Sequence, residues 1–224
     1  MDSAGTVEGL FIGEIKSPWA DKPPSAIAKL PVDGPQFLAS HGFEHDRQAD
    51  LTVHGGADKA VHHYPADHYE AWQAEGMMED GTPPAAFGEN ISTLGLLEAN
   101  LCIGDIFRLG AAVVQISQGR QPCWKLDAHT GRDNMAYLFR KTLRTGWYYR
   151  VLETGMVGVG DPVQLVERPQ PDWTVAKVTA ERLTKSKTHA AILSELPEMA
   201  LDWTLTIETD REASLPEECR RMCS

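Results

Sequence analysis

Gln115-Ile116-Ser117-Gln118-Gly119-Arg120-Gln121-Pro122-Cys123-Trp124-Lys125 is the stretch on which the fold of this chain turns. It is entered through Ala112-Val113-Val114, so a β-prone run leads into a short polar loop and then a cysteine between a proline and an aromatic. Pro122 fixes its own φ and biases Gln121 toward an extended shape, which stiffens the chain where the thiol emerges. Arg120 and Lys125 bring two positive charges within a few residues of that sulfur. Nearby cations favour the thiolate, the form of cysteine that attacks electrophiles and binds metals. Taken alone, Cys123 is as compatible with a small buried hydrophobe, the ordinary fate of a free cysteine. The rest of the chain has to decide between them.

Downstream, Asp133 to Leu143 has the apolar spacing of a helix with Asp133 or Asn134 as its cap. Gly146 to Leu152 reads as a strand, and Glu153 to Val166 as two turns and a closing strand. Upstream, Leu101 to Leu109 reads as a hairpin arm turned or bulged at Gly104-Asp105, and Phe87-Gly88-Glu89-Asn90-Ile91-Ser92 as loop into strand. Leu51 to Pro65 predicts a strand running into the Gly55-Gly56 turn, with Pro65 in the first turn of a helix carrying His68, Tyr69 and Trp72. Val7 to Ile15 and Ala26 to Val32 read as strands, and Phe37 to Phe43 as extended.

Short strands punctuated by Gly and Pro, with two helices interposed, predict a mixed α/β, mainly β, barrel-like domain. Regular strand–helix alternation is absent, as are GxGxxG and GxxxxGK[ST], which disfavours a Rossmann sheet or a P-loop. Arg168-Pro169-Gln170-Pro171 reads as a linker. It divides a domain over 1-167 from a small helical domain over 168-224, with helices at Val175–Leu183, Thr188–Leu193 and Ser214–Met222 and with Trp173 and Trp203 as packing anchors.

The 224 residues are 42% hydrophobic and 24% charged, ordinary for a globular chain, and the net charge is −11. That balance argues against a protein that grips nucleic-acid backbone, which needs a basic footprint. It leaves room for a small anionic ligand held by a few local cations. No apolar run approaches the roughly 18 residues a membrane span needs. Cys102, Cys123, Cys219 and Cys223 have neither disulfide-framework nor paired zinc spacing, and Met1 to Gly5 shows no basic-then-apolar leader; a reduced, cytoplasmic setting is the expectation. His54, His62 and His63 invite a zinc site, but adjacent histidines do not share a helix face and no local cysteines join them.

Five pieces in order carry a resemblance: Ser25-Ala26-Ile27-Ala28-Lys29, His54-Gly55-Gly56-x-Asp58-Lys59-Ala60-Val61, Phe87-Gly88-Glu89-Asn90, Gly104-Asp105 and Gln118-x-Arg120-x-Pro122-Cys123-x-Lys125. Together they resemble the MOSC domain, and specifically the YiiM type, in which a small three-helix C-terminal domain follows. The likeness covers about residues 7 to 220. It implies a β-barrel-like fold that binds molybdenum cofactor, a molybdopterin whose molybdenum is ligated by Cys123. It makes Lys29, Arg47, Lys59, Arg120 and Lys125 the cations for the cofactor's anionic parts, with the Gly55-Gly56 backbone approaching closely and Asn90 hydrogen bonding to pterin or substrate. Glu89 or His54 would then relay protons. The implied activity is reduction of N-hydroxylated compounds such as 6-N-hydroxylaminopurine. No iron–sulfur cysteine run or flavin motif occurs, so the resemblance implies a separate flavoprotein reductase as electron donor. The alternatives are a persulfide or cofactor carrier using the same cysteine, and a non-catalytic module docking through its helical tail.

Overall fold

The computed structural model describes residues 3–51 and 55–212; His54, Cys219, Cys223 and the helix expected over Ser214–Met222 lie outside the described residues. The first half of the chain gives β1 (Ser3–Gly13), β2 (Lys29–Pro31), β3 (Gln36–Ala39), β4 (Gly42–Phe43), β5 (Val61–Pro65), α1 (Asp67–Ala74) and β6 (Ile91–Thr93). The second half gives β7 (Ile106–Leu109), β8 (Ala112–Gly119), α2 (Trp124–Thr130), α3 (Met135–Thr142), β9 (Trp147–Glu153), β10 (Gly155–Val157) and β11 (Pro162–Glu167). Three helices end the described chain: α4 (Val175–Thr184), α5 (Ala190–Leu193) and α6 (Leu201–Glu212).

Seven strands close into a barrel in the order β11-β7-β8-β9-β5-β6-β1, with β1 pairing back onto β11. Within it β5 and β6 run parallel, and the other neighbours are antiparallel. Closure removes the exposed edge that a seven-stranded sheet would otherwise present. The barrel is mixed α/β and mainly strands, as the punctuation of the sequence led us to expect. A side sheet, β10-β3-β4, sits beside it, and the Phe37–Phe43 stretch forms its small hairpin.

All eight residues of β8 are buried, although only alternate ones face the barrel interior. The helical segment covers its outer face. Ala200 N–H donates to the Ser117 carbonyl at 2.9 Å, and a Cβ on Gly119 would lie 2.0 Å from Thr179 Oγ1 of α4. Glycine is therefore what lets α4 seat on the strand that leads to Cys123. One apolar cluster runs without a break from Val114, Ile116 and Trp147 in the barrel to Val178, Leu193 and Trp203 in the helices. A second cluster packs outside the barrel, where Phe139 stacks on Tyr64 at 5.6 Å and on Trp72 at 5.8 Å.

Several local expectations change. Pro65 is the last residue of β5, paired with Thr93, and α1 begins two residues later. Only Lys29–Pro31 of the expected Ala26–Val32 strand pairs with β1. Helix α2 was hidden in the sequence because it is only seven residues long. Neither expected cap serves α3 through its side chain; Asp127 of α2 accepts from Ala136 N–H at 2.7 Å instead. The third terminal helix within the described residues is α6, a helix the sequence did not lead us to expect; the one expected over Ser214–Met222 lies outside those residues. Leu201 and Leu205 point to solvent in α6 while Trp203 and Ile207 are buried, which blurs the amphipathic pattern. Finally, Arg168 does not behave as a free linker: its guanidinium forks onto buried Asp105 at 2.8 and 2.6 Å. Among the described residues no helix is long and apolar enough to cross a membrane.

Candidate functional site

Strand β8 ends at Gly119, and four residues later Cys123 stands in an extended conformation immediately before α2. Arg120 is buried in that short loop. Its backbone N–H donates to the Gly146 carbonyl at 3.1 Å, and Nη1 donates to the Phe87 carbonyl at 2.6 Å. The guanidinium lies 6.0 Å from the Phe139 ring, so the aromatic cluster fixes its height. Lys125, also buried, directs Nζ toward the Pro24 carbonyl at 3.5 Å.

Around Cys123 the fold gathers Lys29, Arg47, Lys59, Asn90, Arg120 and Lys125 as walls of one cleft. Among the described residues, Asp46 is the one acid lining it, against five lysines and arginines. The cleft is thus locally positive on a chain whose net charge is −11. Lys29 and Asp46 form a buried pair at 2.5 Å. Burial lowers the Lys29 pKa from the usual lysine value, while the Asp46 charge and hydrogen bond oppose that shift. Asp46 is held in turn by Gly13 N–H at 2.7 Å and Asn90 Nδ2 at 2.9 Å.

Asn90 gives its second amide hydrogen to the Phe11 carbonyl and accepts from His62 N–H. Both of its donors are engaged by protein, so it stands in the wall as the brace of Asp46. Glu89 does not line the cleft. It is fully buried behind it, accepting from Tyr69 Oη, Ala85 N–H and Phe87 N–H, and burial raises its pKa. Those bonds shape the 85–89 turn that carries the carbonyl gripping Arg120. Gly55 and Gly56 also lie off the cleft. Gly56 has φ +96°, and a Cβ on Gly55 would lie 2.3 Å from Gln48 Oε1, so the pair serves the turn and its packing on Gln48.

His62 and His63 alternate on β5, and their fates differ. His63 is hydrogen bonded to Tyr149 Oη at 3.1 Å and Thr93 Oγ1 at 2.8 Å, and burial lowers its pKa to about 3. His62 faces the cleft. Neither ring nitrogen has a hydrogen bond of good geometry, though the Gly88 and Thr145 carbonyls lie near. Burial, then the Arg120 charge, holds its pKa well below the ordinary histidine value. The imidazole is neutral and both its nitrogens are buried beside those carbonyls, so His62 contributes its ring, not a free polar atom, to the cleft wall.

Tyr148 stands beside it, its ring 5.1 Å from that of His62, and burial raises the phenol's pKa. On the far side of Cys123, Lys59 Nζ meets Asp202 of α6 at 2.5 Å. Asp58 accepts from Leu201 N–H at 3.2 Å and pairs with Arg150 at 2.8 Å, so the start of α6 is fastened to the cleft's rim. Sequence reasoning missed Asp46 and Asp202 as site residues, because neither stands in a motif. His62 was legible only as one of a histidine pair.

The site is thus a cysteine at the edge of a cation-lined cleft on a seven-stranded barrel. The family description "MOSC domain" matches residues 50–164, and the chain belongs to that family. It is 44% identical over 173 residues to "Protein YiiM" of Escherichia coli (strain K12), which covers 76% of each chain. It is 38% identical over 200 residues to a "Reductase" of Gibberella moniliformis (strain M3125 / FGSC 7600), covering 86% of this chain and 35% of that one. The crystal structure of YiiM from Geobacillus stearothermophilus superposes with a TM-score of 0.77 at 28% identity, covering 92% of this chain and 99% of that one.

Proposed function

We propose that this protein is a molybdenum-cofactor-dependent reductase that removes oxygen from N-hydroxylated compounds such as 6-N-hydroxylaminopurine. The observation that carries this reading is the convergence of Cys123 with five lysines and arginines in one cleft. The printed name of the fungal relative, a reductase, supports the class of reaction. The residues present fit a molybdopterin. Its phosphate needs positive charge, which Lys29, Arg47, Lys59, Arg120 and Lys125 supply from the cleft walls. Cys123 offers the soft sulfur ligand that a high-valent molybdenum centre takes. When bound, the cofactor supplies the two-electron redox centre of the reaction.

The chain's own residues orient and protonate. Arg120 is fixed at the cleft floor by the Phe87 carbonyl and the Phe139 ring, so its charge needs no reorganisation when a ligand arrives. The Lys29–Asp46 pair, braced by Asn90, fixes a second charge. Tyr148 stays a neutral phenol beside Cys123 and can donate to the substrate's hydroxyl oxygen. The overall change is R–NH–OH plus two electrons and two protons to R–NH2 and water. The electrons come from a separate flavoprotein reductase, and the setting is cytoplasmic.

The test is molybdenum content by elemental analysis of protein made in a cofactor-competent host, with Cys123→Ala alongside. Near-stoichiometric molybdenum that is lost in the variant is expected, with reduction of 6-N-hydroxylaminopurine by an artificial electron donor lost in parallel. No molybdenum in either protein, with cofactor supply verified, overturns the reading. A persulfide on Cys123 under those conditions would make it a sulfur carrier instead.

A further inference from the structure

A second recess adjoins the cleft and shares Lys59, Cys123 and Tyr148 with it as a common partition. Its other walls are Gln118, Gln121, Pro122, Asp202 and Trp203, so α6 builds one side. The two hollows differ in chemistry. The cleft carries five cations and one acid, whereas the recess carries one lysine, already paired with its one acid, and two amides. The first suits an anion, and the second suits an uncharged ligand with a hydrogen-bonding edge.

Asp202 is the polar centre of that recess. Oδ2 receives Lys59 Nζ, and Oδ1 lies 2.9 Å from the Gln118 amide nitrogen when that amide is turned to place its oxygen on Trp203 Nε1 at 3.0 Å. An ionised carboxylate has about four acceptor sites, so these two contacts leave further lone pairs. The side chain is 52% exposed and faces a hollow. The ring of Tyr148 supplies flat surface on the same walls, and the buried Trp203 backs the Gln118 amide through Nε1.

We propose that this recess is the substrate subsite, and that Asp202 is its specificity-determining residue. It accepts N–H donors from a flat, uncharged nitrogen heterocycle whose N-hydroxylated substituent reaches the partition at Cys123. The terminal helices then set the choice of substrate, while the barrel holds the cofactor. This inference rests on the reductase reading above.

The test uses cofactor-loaded protein and two variants, Asp202→Asn and Gln121→Trp. Gln121 is exposed on the recess wall, where it accepts from Arg182 Nη2 at 3.2 Å, so the added indole narrows the hollow at the loss of that one contact and leaves the Lys59 pair in place. Two quantities are read: the dissociation constant of adenine by calorimetry, and the ratio of kcat/KM for 6-N-hydroxylaminopurine to that for N-methylhydroxylamine, which has no ring. Both variants are expected to weaken adenine binding tenfold or more and to lower the ratio by a similar factor, at unchanged molybdenum content. Absence of adenine binding by the wild type, or an undiminished ratio in both variants, overturns the subsite while turnover keeps the reductase reading standing. Adenine binding that both variants weaken, without turnover of any N-hydroxylated compound by the wild type, overturns the reductase reading and keeps the recess as a base-binding site.

Discussion

The cleft is flanked by two lysine–aspartate pairs that share a formula and differ in everything around them. In Lys29–Asp46 the side chains are 7% and 4% exposed, and Asp46 is held by a backbone amide and by Asn90. In Lys59–Asp202 they are 11% and 52% exposed, and the pair joins a 3-10 turn of the barrel to α6. A buried pair depends on its partners, since removing one strands an uncompensated charge in low dielectric. A half-solvated pair loses little when broken, because water replaces the partner. The inner pair is therefore a charge built into the scaffold, and the outer one, open to solvent at Asp202, is the one placed for recognition.

Asp46→Ala should break the scaffold end most severely. It leaves Lys29 buried without its counter-charge, and chemical denaturation should show a loss of about 3–5 kcal/mol. A loss under about 1 kcal/mol would erase the distinction between the two ends.

Acid should sharpen it next. Through Asn90 the inner pair is tied to β5, where His63 stays neutral down to about pH 3 against an ordinary value of 6.5. The unfolded chain binds that proton and the folded chain does not, so stability is complete above 6.5 and falls as pH drops toward about 3. For His63 alone the loss at about pH 5 is about 2 kcal/mol, at about 1.4 kcal/mol per unit, and His62 adds in the same direction. Denaturation midpoints measured on either side of neutrality check this. A flat profile down to about pH 5 would mean that β5 is hydrated and its histidines titrate normally.

The smallest effect belongs to the outer pair. Asp202→Ala should change stability by no more than about 1 kcal/mol, with the thermal midpoint near that of the wild type. A larger loss would make α6 part of the scaffold and would blunt the contrast.

The sequence made much of this legible, unevenly. Strand β8, the Cys123 loop and the closing strands were readable because Val, Ile and Gly at these positions report local geometry. Four cations of the site, Lys29, Lys59, Arg120 and Lys125, were readable through their motifs, and with Arg47 they line the cleft. Asn90 and Glu89 stand in those motifs too, but their hydrogen bonds go to the protein, and residue type alone does not say which way a side chain turns. Helices α2 and α6 were not readable. A seven-residue helix carries little periodicity, and the two exposed leucines of α6 mask its buried face.

Asp46, His62, Tyr148 and Asp202 mark the limit. They lie 77, 61, 25 and 79 positions from Cys123 by their residue numbers; His62 and Tyr148 drew attention only as one of a histidine pair and one of several aromatics, and nothing in their neighbours marks Asp46 or Asp202. What the sequence by itself determined is the set of local commitments: where strands start and stop, where the thiol is stiffened, and which cations travel with it. Those are properties of φ, ψ and charge within a few residues. Only the tertiary structure decided that the barrel closes through β1 and β11, that one aspartate is sealed beside Lys29, and that another from α6 faces Lys59 across the partition. Burial and long-range pairing set those outcomes, and they exist only once the chain has packed.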